Sequence, residues 1–220
     1  MQIELKKRIF TSLILFLLLI LMFKNLYIFT FSIMVISIYS FLEFSNLIRK
    51  IFYKRHYIEF LFNIIFIAYI FLFSILFTIF NQSELKSLLF CSIIICAASD
   101  IGGLVSGKLI KGPKLTKISP NKTIAGSIGS FLFSISTSFM LIYFFTEIFD
   151  WRAPFALAIF ISLSCQIGDI FFSYLKRKAK IKDTGNILPG HGGMLDRIDG
   201  ILVGVPFGII LTSIFYIIIQ

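Results

Sequence analysis

Residues 176–200 read KRKAKIKDTGNILPGHGGMLDRIDG. On one side stands FALAIFISLSCQIGDIFFSYL (155–175) and on the other ILVGVPFGIILTSIFYIII (201–219). Six Lys or Arg, three Asp, one His and five Gly thus interrupt two runs of Phe, Ile and Leu. Each flanking run is long enough to cross a hydrocarbon core as a helix, which takes roughly 20 residues. The interruption is a polar loop at one membrane face.

The same reading extends over the chain. Of its 220 residues 58% are hydrophobic, against about 45–50% in a soluble domain, and the mean hydropathy is +0.95. Seven apolar runs are candidate spans: 9–23, 26–44, 58–80, 87–107, 123–146, 153–175 and 194–219. The first is short, so Lys24 must snorkel to the headgroups. Its basic start, Lys6-Lys7-Arg8, has no small-residue cleavage site after it, and it reads as an uncleaved span. The expected fold is all-α: a polytopic transmembrane helix bundle of about seven spans. Two regions are expected, 1–86 as scaffold or lipid access and 87–220 as a catalytic membrane region.

The net charge of +10 would point to nucleic acid in a soluble protein. Here eighteen of the 21 Lys and Arg fall before span one, or between spans two and three, four and five, or six and seven. That asymmetry is the positive-inside pattern. It predicts a cytoplasmic N-terminus, an outside C-terminus and no nucleic-acid partner. The three cysteines, Cys91, Cys96 and Cys165, lie in apolar runs without ligand spacing and read as small buried hydrophobes.

Topology leaves four aspartates unexplained. Asp100 lies in CAASDIGGLVSG and Asp169 in CQIGDIFFS, while Asp196 and Asp199 open the last span. A carboxylate at membrane depth is costly and marks a site by default. Asp196 and Asp199 are three apart and share a helical face. Carboxylates gathered at one depth repel unless a cation joins them, and all-oxygen ligation selects a hard ion such as Mg²⁺. The plainer alternative is that Asp199 pairs with Arg197 or Lys182 and Asp196 caps the last helix. The loops KLIKGPKLTKISPNKT (108–123) and 176–193 add mobile lysines and glycine backbone that can approach phosphate oxygens. A helix start adds a partial positive charge. Together these read as phosphoryl chemistry without a Walker loop or dinucleotide fingerprint.

Ser173, Lys176-Arg177, Lys182-Asp183, Gly185, Pro189-Gly190-His191-Gly192-Gly193, Asp196-Arg197 and Asp199 together resemble the signature of the phosphatidate cytidylyltransferases (CDP-diacylglycerol synthases). Every fixed position is filled. Upstream, GDIFFS resembles the family's Gly-Asp-Leu-Phe-Glu-Ser, SDIGG its Asp-Thr-Gly-Ala segment, and ISPNKTIAG its Ser-Pro-Lys-Lys-Thr-Trp-Glu-Gly. The resemblance covers residues 95–205. Phe172 stands where the family usually has Glu. Ile101, Gly103 and Leu104 replace Thr, Ala and Tyr, and Ile124 and Ala125 replace Trp and Glu. Family members usually have more spans, so the N-terminal half looks trimmed.

The resemblance implies a nucleotidyltransferase of phospholipid biosynthesis in the cell inner membrane. CTP and phosphatidic acid would give CDP-diacylglycerol and pyrophosphate at the cytoplasmic face, with Mg²⁺, with K⁺ as an allowed second ion, and with a homodimer as an allowed assembly. The expected catalytic set is Asp169, Lys182, Asp183, Asp196 and Asp199, with Asp169, Asp196 and Asp199 as metal ligands. Lys122, Ser173, Lys176, Arg177, Gly190, His191, Gly192, Gly193, Arg197 and Asp100 are expected to bind substrate. The phosphate of phosphatidate is already a nucleophile, so His191 is read as a phosphate donor or turn residue, not a base. His56 reads as interfacial. Two alternatives stay open: another CTP-dependent lipid or polyprenol transferase or kinase, and a transporter, in which intramembrane Asp and broken helices also occur.

Overall fold

The structure, a computed structural model, describes residues 2–116, 119, 122–145, 150–187 and 192–219; the side chains of 2–9, 145 and 219 lie outside that description. It is all-helical: α1 (Gln2–Lys24), α2 (Leu26–Ile51), α3 (His56–Gln82), α4 (Lys86–Leu109), α5 (Ile124–Phe145), α6 (Arg152–Lys178) and α7 (Leu195–Ile219). All but α1 are long and apolar enough to cross a membrane; the apolar part of α1, Phe10–Lys24, is shorter. The protein is thus a polytopic helical membrane protein, with one helix for each apolar run of the sequence. Several helices outrun their apolar cores by a turn or more, because a helix continues into the headgroup layer until a capping residue ends it.

The chain forms two compact units. One comprises Met1–Glu84 with Leu175–Ile198, the other Leu85–Tyr174 with Asp199–Gln220. The division falls inside α6 and α7.

In the first unit α2 packs on α1 and α3. Asn25 breaks the apolar run and caps α2, its Oδ1 accepting from Tyr27 and Ile28 N–H at 2.9 and 3.2 Å. Phe44 stacks on Phe66, ring centroids 3.8 Å apart, and Ser37 bonds Ser74 at 2.9 Å. The end of α6 carries Lys180 at φ 58°. Around it Ile181 N–H donates to Lys176 C=O and Lys180 N–H to Arg177 C=O, both at 3.0 Å. That pairing is a Schellman cap, with lysine where glycine is usual.

In the second unit α4 packs closely on α5. Small residues make this possible. A Cβ on Gly102 would lie 2.5 Å from Gly129 O and 2.6 Å from Phe133 Cβ; on Gly126, 2.8 Å from Gly103 O. Between them Lys111 (φ 58°) and Gly112 (φ 109°) reverse the chain. A short antiparallel ladder follows, with Leu115 N–H to Lys122 C=O at 2.7 Å and Ile124 N–H to Pro113 C=O at 3.0 Å. Thr123 then caps α5 by accepting from Gly126 N–H at 3.0 Å.

Gly200, Gly204 and Gly208 recur every four residues along α7. Added Cβ atoms would lie 2.7 Å from Cys165 Sγ, 3.0 Å from Cys96 Sγ and 2.5 Å from Ile161 Cγ1 respectively. The three positions form one small-residue stripe against α4 and α6. Pro206 lies within the helix. Hydroxyls join helices in this unit: Ser99 to Ser162 at 2.9 Å, and Ser130 Oγ to Ser99 C=O at 2.8 Å.

Candidate active site

The second unit contains a cavity of about 540 Å³, within the range of small-molecule sites. Asp100 and Gly103 of α4, Lys122 of the ladder, Ser127 of α5, and Gln166 and Asp169 of α6 face it. Asp169 and Lys122 form an ion pair at 2.7 Å, each about a quarter exposed (22% and 28%). Gln166 accepts from Ser127 Oγ at 2.5 Å and donates to Ser162 Oγ at 3.2 Å. The small residues that pull α4 onto α5 also leave room here. Gly103, Gly107 and Gly126 line the cavity where side chains would fill it.

The position of a Cβ on Gly200 is 3.2 Å from Asp169 Oδ1 and 3.9 Å from Asp100 Oδ2. Glycine at 200 therefore lets α7 approach the carboxylates. Cys165 Sγ stands 3.9 Å from Asp100 Oδ1.

The first unit holds the loop between α6 and α7. Asp196 organises it. Its Oδ1 accepts from Lys176 Nζ at 2.8 Å. Its Oδ2 accepts from Thr184 N–H at 2.7 Å and Gly193 N–H at 3.1 Å, and lies 3.0 Å from Thr184 Oγ. The Asp196 and Lys176 side chains are 5% and 13% exposed, so this pair is well shielded from water. Gly192 takes φ 83°, and a Cβ there would lie 3.1 Å from Asp196 Oδ2.

The sequence reading missed Glu43 of α2, which is 4% exposed. Its carboxylate accepts from Thr184 Oγ at 2.7 Å and from Met194 and Leu195 N–H, both at 2.9 Å. A Cβ on Gly185 would lie 2.5 Å from Glu43 Oε1, and one on Gly193 would meet Glu43 Oε2 and Thr184 Oγ. These two signature glycines thus approach a carboxylate of the protein itself. The available signal was a Glu in the apolar stretch YSFLEFSNL (39–47), to which the rule already applied to Asp100 and Asp169 extends.

The expected residues are therefore distributed. Asp100, Lys122, Asp169, Ser173 and Asp199 belong to the second unit; Lys176, Arg177, Lys182, Asp183, Gly192, Gly193, Asp196 and Arg197 to the first. Arg177, Lys182, Asp183 and Arg197 are exposed. Gly190 and His191 lie outside the described residues. Lys178 lies over the Phe52 ring, 5.5 Å from its centroid. Phe172 is buried, at 3% exposure, an apolar neighbourhood in place of the family's usual Glu. For Mg²⁺ the donor chemistry of Asp100, Asp169 and Asp199 is suitable, all carboxylate oxygen. Among the described residues no three His, Cys, Asp or Glu side chains meet closely enough to hold one ion, and the cation beside Asp169 is Lys122.

A family model described as the cytidylyltransferase family matches residues 3–215. The chain belongs to the cytidylyltransferase family. It is similar to proteins named phosphatidate cytidylyltransferase, among them those of three bacteria. That of Helicobacter pylori is 43% identical over 117 residues, 51% of this chain and 42% of the relative. That of Brucella suis is 36% identical over 119 residues, 54% and 44%. That of Mycobacterium leprae is 40% identical over 114 residues, 51% and 36%. The chain thus aligns with less than half the length of each.

Proposed function

We propose that this cytidylyltransferase family member makes CDP-diacylglycerol and pyrophosphate from CTP and phosphatidic acid. The observation that carries the proposal is the identity of 36–43% to relatives of that name. The cavity supports it: acidic and basic side chains meet there beside hydroxyls and an amide.

In the proposed reaction a phosphate oxygen of phosphatidate attacks the α-phosphorus of CTP. A P–O bond forms, and the bond from the α-phosphorus to the oxygen bridging to the β-phosphorus breaks. Pyrophosphate leaves with the electron pair. Both reactants are polyanions, so what the protein supplies is position and compensating charge. Lys122, held at a fixed place by Asp169, offers an ammonium to phosphate oxygens in the cavity. Asp169 and Asp199, the two expected ligands that belong to the second unit, would hold Mg²⁺, which when bound would take up phosphate charge. Lys176 is oriented by Asp196, which keeps that aspartate in the active set. Arg177 and Lys182 are assigned to CTP phosphates. The basic loops face the cytoplasm, where CTP is made, and the protein lies in the inner membrane.

The test is labelled CTP with vesicles containing phosphatidate and the purified protein. CDP-diacylglycerol and pyrophosphate should appear in equal amounts. Asp169→Asn should lower kcat by about 10² or more, as expected for loss of an electrostatic group acting in the transition state. Label transfer to a polyprenol and not to phosphatidate would reject the reading.

A further inference from the structure

We propose that Glu43 is a positioning residue that sets the geometry of the phosphate-handling segments 181–187 and 192–195. The proposal rests on the reading of this chain as a CTP-dependent enzyme.

The carboxylate lies in an otherwise apolar helix and is nearly inaccessible, at 4% exposure. Burying a charge is costly unless hydrogen bonds meet it. Here three are present, and all come from the segment between α6 and α7 or from the start of α7. Two are backbone N–H groups of Met194 and Leu195, which at a helix start have no partner within the helix. A residue of α2, more than 140 positions away in sequence, thus caps α7. The third donor is the Thr184 hydroxyl, which also lies 3.0 Å from Asp196 Oδ2. Thr184 therefore stands between two carboxylates, and Asp196 holds Lys176 on its other oxygen. A chain of contacts runs from Glu43 through Thr184 and Asp196 to the Lys176 ammonium.

The glycines argue the same way. Gly185 and Gly193 lie against Glu43 where a side chain would collide with it. They admit the carboxylate, and the carboxylate in turn holds Thr184, which follows Lys182 and Asp183, and Met194 and Leu195, which follow Gly192 and Gly193. Glu43 touches no substrate in this scheme. It decides where the loop's donors stand when a triphosphate arrives.

The experiment uses the full chain in phosphatidate vesicles, with Glu43→Gln, Glu43→Ala and, as a control for charge lost elsewhere in the first unit, Glu59→Gln. Glu59 of α3 faces His56 at 3.6 Å. Glu43→Gln keeps the shape but puts an NH₂ where an acceptor is needed. It should raise KM for CTP about tenfold, the effect of one lost charge-assisted hydrogen bond, with KM for phosphatidate unchanged. Glu43→Ala should do more, and Glu59→Gln should do neither. Amide hydrogen exchange read by mass spectrometry should show lost protection in peptides covering 181–195 of both Glu43 variants, with α4 and α5 peptides unaffected. Wild-type KM for CTP in Glu43→Gln overturns the proposal. So does exchange that is unchanged in the loop or rises equally throughout, since that is general destabilisation. If wild-type protein makes no CDP-lipid, the functional reading fails, while the exchange data still decide whether Glu43 orders the loop.

Discussion

Glycine at 193 is explained by one contact. Its missing side chain leaves room for Glu43 and Thr184, although in the sequence the same residue reads as an approach to phosphate. The two readings differ in a double-mutant cycle. Gly193→Ala should lower activity strongly. Glu43→Asp, one methylene shorter, should recover part of that loss, with a coupling of about 1 kcal/mol or more, because residues in contact are not additive. No recovery would mean that the alanine obstructs substrate instead. Asp196 and Asp199 show the limit of spacing arguments. Three apart, they share a helical face. Yet Asp196 is held by Lys176 and the loop, while Asp199 Oδ1 accepts from Gly200 N–H at 2.9 Å. Periodicity gives a direction from the helix axis and says nothing of what waits there.

Two features of the helices carry measurable consequences. The α4–α5 contact is made through backbone, so a methyl group on Gly102 meets Gly129 O and Phe133 Cβ and has no flexible neighbour to displace. Gly102→Ala should destabilise the protein by about 1–3 kcal/mol, the usual cost of overpacking, seen as a lower Tm in detergent. It should also reduce CTP turnover, since the neighbouring Gly103 and Gly107 line the cavity. A wild-type Tm would show that α4 and α5 separate freely. At the end of α6 the opposite change helps. Lys180 has φ 58°, where an L side chain costs roughly 1–2 kcal/mol. Lys180→Gly should raise the Tm, by up to about 1 kcal/mol of stability once glycine's greater unfolded-state freedom is counted. Substitution by Ala, which keeps the strain, should not. The small-residue stripe at 200, 204 and 208 could have been read in the sequence, as could the breaks at Asn25 and Gly112. The surfaces they face could not.

For the chain as a whole, the distribution of Lys and Arg predicts sidedness. All three native cysteines are buried, so a single added cysteine reports cleanly. Lys180→Cys should be labelled by an impermeant maleimide only from the cytoplasmic side, and Gln82→Cys only from the other. Labelling of both from one side would reject the topology. The compact units group Leu175–Ile198 with the N-terminal helices. Glu43 supplies the reason, since it binds the loop and the start of α7.

The apolar runs by themselves determined the helices, their number and their approximate limits. Twenty apolar residues in lipid have little choice but to bond their backbone internally. The charged and glycine-rich segments likewise marked the residues proposed for the chemistry, because charge at membrane depth is too costly to be incidental. What only the tertiary structure decided is which charges meet. Lys122 lies 47 positions before Asp169, and Glu43 lies 141 before Thr184. Pairings over such distances depend on how helices pack. That packing follows from glycine and serine contacts along whole helix faces, which no local stretch of sequence contains.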